Sequence, residues 1–262
     1  MYSPTYLLFI FVLGLIIGSF LNVFILRRGT GKTVGGRSAC ANCGHKLGAL
    51  DLIPLFSFLF LGGKCRYCQT KISKMYPLVE LGTGLLFLLI FINTPINSVQ
   101  SILLLLISIL FWTLGLAISI YDLRHTIIPN TWVLFLTIVS FLYVTVSYWN
   151  NLHVLALSVL SGGIFGLFFF ALWLISRGRW MGLGDAKFAF ALGMFVGMPK
   201  LFSAWALSFW IGAIMVLLYY LVESAISANG RKLSRITTPI TMKSEVPFGP
   251  FLFLGSFFAF LG

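Results

Sequence analysis

Charge is what this sequence has least of. Only 9% of its 262 residues are charged, against roughly a quarter in an ordinary soluble domain. Acids are scarcest, six in all, so each Asp or Glu stands out. Histidine is almost absent: His45, His125 and His153 lie in separate segments and give poor support to a Ser-His nucleophile. Cysteine is missing everywhere except between residues 40 and 68.

What fills the chain is apolar: 59% hydrophobic residues and a mean hydropathy of +1.01. Several runs approach the roughly 20 residues that span hydrocarbon. The pattern predicts an all-α polytopic membrane protein of about eight transmembrane helices. The apolar segments are 5–26, 78–92, 99–120, 131–147, 152–175, 185–197, 201–222 and 246–262. The sixth, at 13 residues, covers only about 20 Å and is short for a span.

Lys and Arg fall on one side of these segments. The loops 27–76, 121–130, 176–184 and 223–246 carry sixteen, the opposite side only Lys200, and Lys187 lies in the sixth segment. This positive-inside bias places those loops in the cytosol and both termini outside it. The net charge of +12 is then explained by topology and by anionic lipid headgroups, with no nucleic-acid partner.

All four cysteines lie in the loop 27–76, as Cys40-x2-Cys43 and Cys65-x2-Cys68. Paired knuckles of this kind suit a tetrahedral zinc site of four thiolates. Two disulfides or a redox pair are the alternatives, and a cytosolic loop disfavours structural disulfides. His45 is a spare ligand if one thiolate is missing.

Three acids sit at the edges of spans. Glu80 lies near the entrance of the second, where it is either a first-turn acid favoured by the helix dipole or an intramembrane charge with a partner. Asp122 leaves the third, just ahead of Ile128-Pro129-Asn130. Asp185 opens the sixth behind Gly182-Leu183-Gly184, where it is either an N-cap or a functional carboxylate. The two glycines, lacking Cβ, let another backbone come close. Topology puts Asp122 and Asp185 at the same face. Two carboxylates sharing one site do not both ionise easily, so one serves as acid and the other activates water. A proton or cation relay in a transporter is the rival use of the same pair.

Taken together these motifs resemble the type IV prepilin peptidases, the bacterial GxGD aspartyl proteases. The resemblance covers nearly the whole chain. It is carried by Gly18-Ser19-Phe20-Leu21-Asn22-Val23, the cysteine knuckles, Tyr76-Pro77-Leu78-Val79-Glu80, and Asp122 with Ile128-Pro129-Asn130. Met181-Gly182-Leu183-Gly184-Asp185-Ala186-Lys187 and Pro247-Phe248-Gly249-Pro250-Phe251-Leu252 complete it. Leu183 stands where many relatives have Gly.

The resemblance implies an inner-membrane enzyme that removes a short basic leader from type IV prepilins or pseudopilins at the cytosolic face, with Asp122 and Asp185 catalytic. It further implies methylation of the new N-terminal amine by S-adenosylmethionine, or a peptidase alone. Residues 1–98, with the zinc loop, are assigned to methylation and 99–262 to a six-helix peptidase core. Gly182, Gly184 and Glu80 are expected near the substrate. No glycine-rich nucleotide loop marks a methyl-donor site, and nothing in the sequence fixes the oligomeric state.

Overall fold

The computed structural model describes residues 3–28, 35–228 and 247–262. Much of the polar loop after Val222 therefore lies outside the described residues. Among these residues the chain is helical, without a strand. The elements are α1 (Pro4–Arg27), α2 (Phe56–Phe60), α3 (Met75–Asn93), α4 (Val99–His125), α5 (Asn130–Ser147), α6 (Leu152–Ser176), α7 (Leu183–Val196), α8 (Met198–Ala228) and α9 (Gly249–Leu261). Six of them, α1, α3, α4, α5, α6 and α8, are long and apolar enough to cross a membrane. The protein is a multi-pass membrane protein. The other two expected spans, α7 and α9, form as helices of 14 and 13 residues, below that length.

The chain forms two compact units, Met1–Thr113 and Leu114–Gly262. In the first, α1 lies against α3. A Cβ on Gly14 would come within 2.8 Å of Gly84 Cα, and one on Gly18 within 2.8 Å of Glu80 Cα. The Gly-x3-Gly spacing on α1 thus puts both small residues on the contacting face, the usual way apolar helices approach in lipid. Asn22, buried in this contact, donates from Nδ2 to the Tyr76 carbonyl at 3.1 Å. The polar residue inside the first span is thereby satisfied.

In the second unit α7 is the core. It packs against α5, α6, α8 and α9, and nine of its residues are buried. At about 1.5 Å per residue it runs only about 21 Å, so its length is set by neighbours rather than by lipid. Buried serines fix it in place. Ser140 of α5 donates to the Ala191 carbonyl at 3.1 Å, and Ser161 of α6 to the Gly193 carbonyl at 2.8 Å.

The loop between α1 and α3 is built from two similar turns. In each, the first cysteine's N–H donates to a carbonyl five residues on: Cys40 to His45 and Cys65 to Thr70, both at 2.9 Å. Each turn closes with a left-handed residue, Gly44 (φ 68°) and Gln69 (φ 59°). Glycine is expected there, and Gln69 occupies the position despite its Cβ.

Candidate active site and metal centre

Asp122 lies in the last turn of α4, which continues past the expected exit to His125. It is only 4% exposed. Its Oδ2 accepts a hydrogen bond of 3.1 Å from the Gly249 backbone N–H. Gly249 is the first residue of α9, and helix N-termini carry unpaired N–H groups that suit a carboxylate. A Cβ at Gly249 would fall 2.7 Å from that oxygen, so the contact needs glycine.

Asp185 is 7% exposed. It is not the N-cap of α7: Gly182 holds that position and Asp185 is the third helical residue. Its Oδ2 reaches back to accept the Gly182 N–H at 3.1 Å. The two oxygens of this carboxylate are therefore not equivalent. Oδ2 holds the helix start, while Oδ1 is buried without a hydrogen-bond partner among the described residues. A buried carboxylate oxygen left unpaired is costly, and such an atom marks a place where a water or substrate group belongs. Asp122 and Asp185 are close enough for the charge of one to act on the other.

Two contacts tie the motifs around them. A Cβ on Gly184 would come 2.8 Å from Ile128 Cβ, so the space freed by this glycine is filled by the segment after Asp122. Lys187 Nζ donates to Asn130 Oδ1 at 2.9 Å. Gly182, by contrast, has its missing Cβ directed toward the Asp185 carboxylate, 3.5 Å away. Sequence reasoning missed Gly249 as a partner of Asp122. Its signals were its place between two prolines at the head of an apolar helix and within the C-terminal motif of the resemblance.

The four cysteine sulfurs form a separate site in the first unit, all within 4.8 Å of one another. Cys40 and Cys68 Sγ are 3.7 Å apart, and a tetrahedron with Zn–S bonds of about 2.3 Å has S–S edges of about 3.8 Å. All four sulfurs converge on one point, an arrangement that suits one shared metal better than two separate disulfides. Beside Cys68, the Thr70 hydroxyl and then its backbone N–H pull the thiol down to about 5. At Cys43 the His45 backbone N–H favours the thiolate, but desolvation and the Cys68 and Cys40 sulfurs outweigh it and push the thiol up to about 11. Four sulfurs this close do not all ionise without a cation among them, which the donor set is suited to bind. His45 is not part of this cluster; its ring lies on Tyr67 with centroids 3.6 Å apart.

Glu80, 8% exposed, sits in the same unit, away from any first-turn cap role. Its Oε2 accepts the Leu55 N–H at 2.9 Å, and the Ser19 hydroxyl also hydrogen-bonds it. Its loop partner is thus a backbone amide rather than a basic side chain. Leu55 has φ 61°, so Glu80 holds a strained residue at the start of α2.

Comparison with known proteins identifies the family. Residues 12–94 match the bacterial peptidase A24 N-terminal domain, and residues 108–217 match the type IV leader peptidase family. A prepilin leader peptidase/N-methyltransferase of Pseudomonas aeruginosa is 31% identical over 95% of this chain and 88% of its own length. The chain belongs to the type IV leader peptidase family. Proteins of the same name from Aeromonas hydrophila (29% identical over 98% of this chain and 90% of the relative) and Myxococcus xanthus (52% over 33% and 26%) are also similar. No solved structure matches. Within the family match, the second model takes in both Asp122 and Asp185, while the first takes in the cysteines and Glu80.

Proposed function

We propose that this protein removes the leader peptide from type IV prepilins or pseudopilins and methylates the new N-terminal amine. Asp122 and Asp185 carry the cleavage. The observation that bears most weight is the pairing of two buried carboxylates from the two family motifs, one with an oxygen left free. One carboxylate takes a proton from water as its oxygen adds to the scissile carbonyl carbon. The other donates a proton to the carbonyl oxygen. The resulting tetrahedral centre collapses with the C–N bond breaking and a proton passing to the leaving amine. The acid and base roles belong to the pair.

The cysteine loop holds a structural zinc through Cys40, Cys43, Cys65 and Cys68. Its shell is closed, so the metal fixes the loop and takes no part in hydrolysis. Methylation, with S-adenosylmethionine as the donor, belongs in this reading to residues 1–98, and cleavage to 99–262. With α7 and α9 counted alongside the six longer helices, eight apolar segments cross a bacterial inner membrane. The basic loops, the cysteine site and both aspartates then face the cytosol.

The test is cleavage of a full-length prepilin by purified protein in lipid and detergent. Wild type cleaves, while Asp122→Asn and Asp185→Asn each abolish cleavage with folding and zinc content preserved. Cleavage by either variant at near wild-type rate sinks the assignment.

A further inference from the structure

In the first unit the short helix α2, between the two cysteine turns, points apolar side chains outward. Phe56, Leu59 and Phe60 are spaced i, i+3 and i+4, on one face, and all three are exposed, Phe60 by 86%. Leu52 and Ile53, just ahead of α2, are exposed as well. Apolar side chains gathered in this way mark an interaction surface.

Two bonds fix how deep this face lies. Leu55, the residue before α2, donates its N–H to Glu80 Oε2 at 2.9 Å, and the Ser19 hydroxyl bonds the same side chain. Glu80 is the sixth residue of α3 and stands about 7.5 Å along that span from Met75. Ser19 lies eight residues before Arg27, where α1 ends, a rise of about 12 Å. Lys74 precedes α3, and Arg27 and Arg28 close α1; cations that flank spans anchor at headgroup level. The start of α2 is thus tied below the charged ends of both spans.

The backbone there is also prepared for lipid. Within α2, Ser57 and Leu59 donate to the Ile53 and Leu55 carbonyls. Beyond it, Leu61, Gly62 and Gly63 donate to the Ser57, Leu59 and Phe58 carbonyls at 2.8–3.1 Å, and Pro54 has no N–H to satisfy. Water makes no such demand on a loop, whereas hydrocarbon does. Lys64, Lys71 and Lys74, which follow α2, are exposed. The one acid between residues 35 and 74, Asp51, is held by Arg66 at 2.7 Å.

We infer that α2 lies in the headgroup–acyl boundary of the bilayer, its Phe56, Leu59 and Phe60 among acyl chains and the lysines on anionic phosphates. The inference rests on α1 and α3 spanning the membrane and not on the carboxylate reading. Lipid is the occupant that a face tied at this depth meets, and anionic headgroups complement the cations around it. The contact moors the cysteine turns on the bilayer surface.

The test is made on the full chain in nanodiscs containing phosphatidylglycerol, with trifluoromethyl-phenylalanine in place of Phe60. Its fluorine signal should be broadened more by lipid bearing a nitroxide high on the acyl chain than by a water-soluble gadolinium chelate. Stronger broadening by the chelate overturns the inference. Protection from both agents, the result if a second copy or another part of this chain covers the face, overturns it too. Phe56→Ser/Leu59→Ser should abolish the lipid preference without striking any neighbour, since both side chains are exposed. A preference that survives would mean that the Glu80 tether alone sets the depth and that the apolar face docks nothing. Phosphatidylcholine in place of phosphatidylglycerol should weaken the nitroxide effect. An equal effect in both lipids would overturn the part given to the lysines.

Discussion

The Gly249 N–H and Asp122 Oδ2 meet at 3.1 Å across 127 positions of sequence, and no side chain larger than hydrogen fits between them. The first turn of α9 thereby orients a carboxylate on α4. A charge-assisted bond of this kind contributes about 1.5–3 kcal/mol and leaves only Oδ1 of Asp122 outside the contact.

Gly249→Ala should therefore damage cleavage without removing any reacting group. Its methyl has to displace the Asp122 carboxylate, and a misplacement near 1 Å costs on the order of 100-fold in rate. Steady-state kinetics should show the loss in kcat, with zinc content and thermal unfolding little changed. Wild-type kcat in this variant would mean that the contact does not position Asp122.

The double variant Asp122→Asn/Asp185→Asn should be little worse than either single variant, because paired catalytic groups act as one unit. Single-turnover cleavage over long incubations gives the residual rates. Multiplying losses would show two independent roles instead of a shared water.

Purified protein should carry one zinc per chain by metal analysis, lost when Cys40 and Cys43 are both replaced by Ser. Loss of the metal should free the loop, read as faster limited proteolysis between residues 35 and 74, because a segment this small lacks a core of its own. Leader cleavage should fall less than methylation. Metal-free wild type with four reactive thiols and full activity would refute the zinc centre.

Glu80→Ala leaves the Leu55 N–H without its acceptor, a cost of about 1–3 kcal/mol. Loop docking should weaken, seen as faster amide exchange around Leu55, and methylation should drop more than cleavage. Glu80→Gln keeps an acceptor oxygen and should be milder in exchange. Its methylation rate is the sharper measure: a loss there with normal exchange points to the charge rather than the tether.

Much of this is readable from residue types and spacing. The cysteine cluster that could hold a metal follows from four cysteines in two pairs, because the geometry of each pair is local. The six long helices follow from hydropathy, which depends on each segment alone. Asp185 reads ambiguously as cap or catalyst, since a sequence does not assign separate tasks to two oxygens of one carboxylate. Glu80 reads as a helix-dipole acid or a charge awaiting a partner and instead holds a backbone N–H, which every residue except proline offers. Gly249 is opaque because what matters there is a carboxylate 127 positions away that occupies the space a side chain would need.

The dependence of Asp122 on Gly249 also has a meaning in time. A ribosome adding about 5–20 residues per second needs roughly 6–25 s to pass from one to the other. During that interval α4 and then α7 already bear their carboxylates, while the amide that orients Asp122 has not been made. The surroundings of Asp122 are thus complete only once α9, the last helix described, has been translated and has docked on the helices before it.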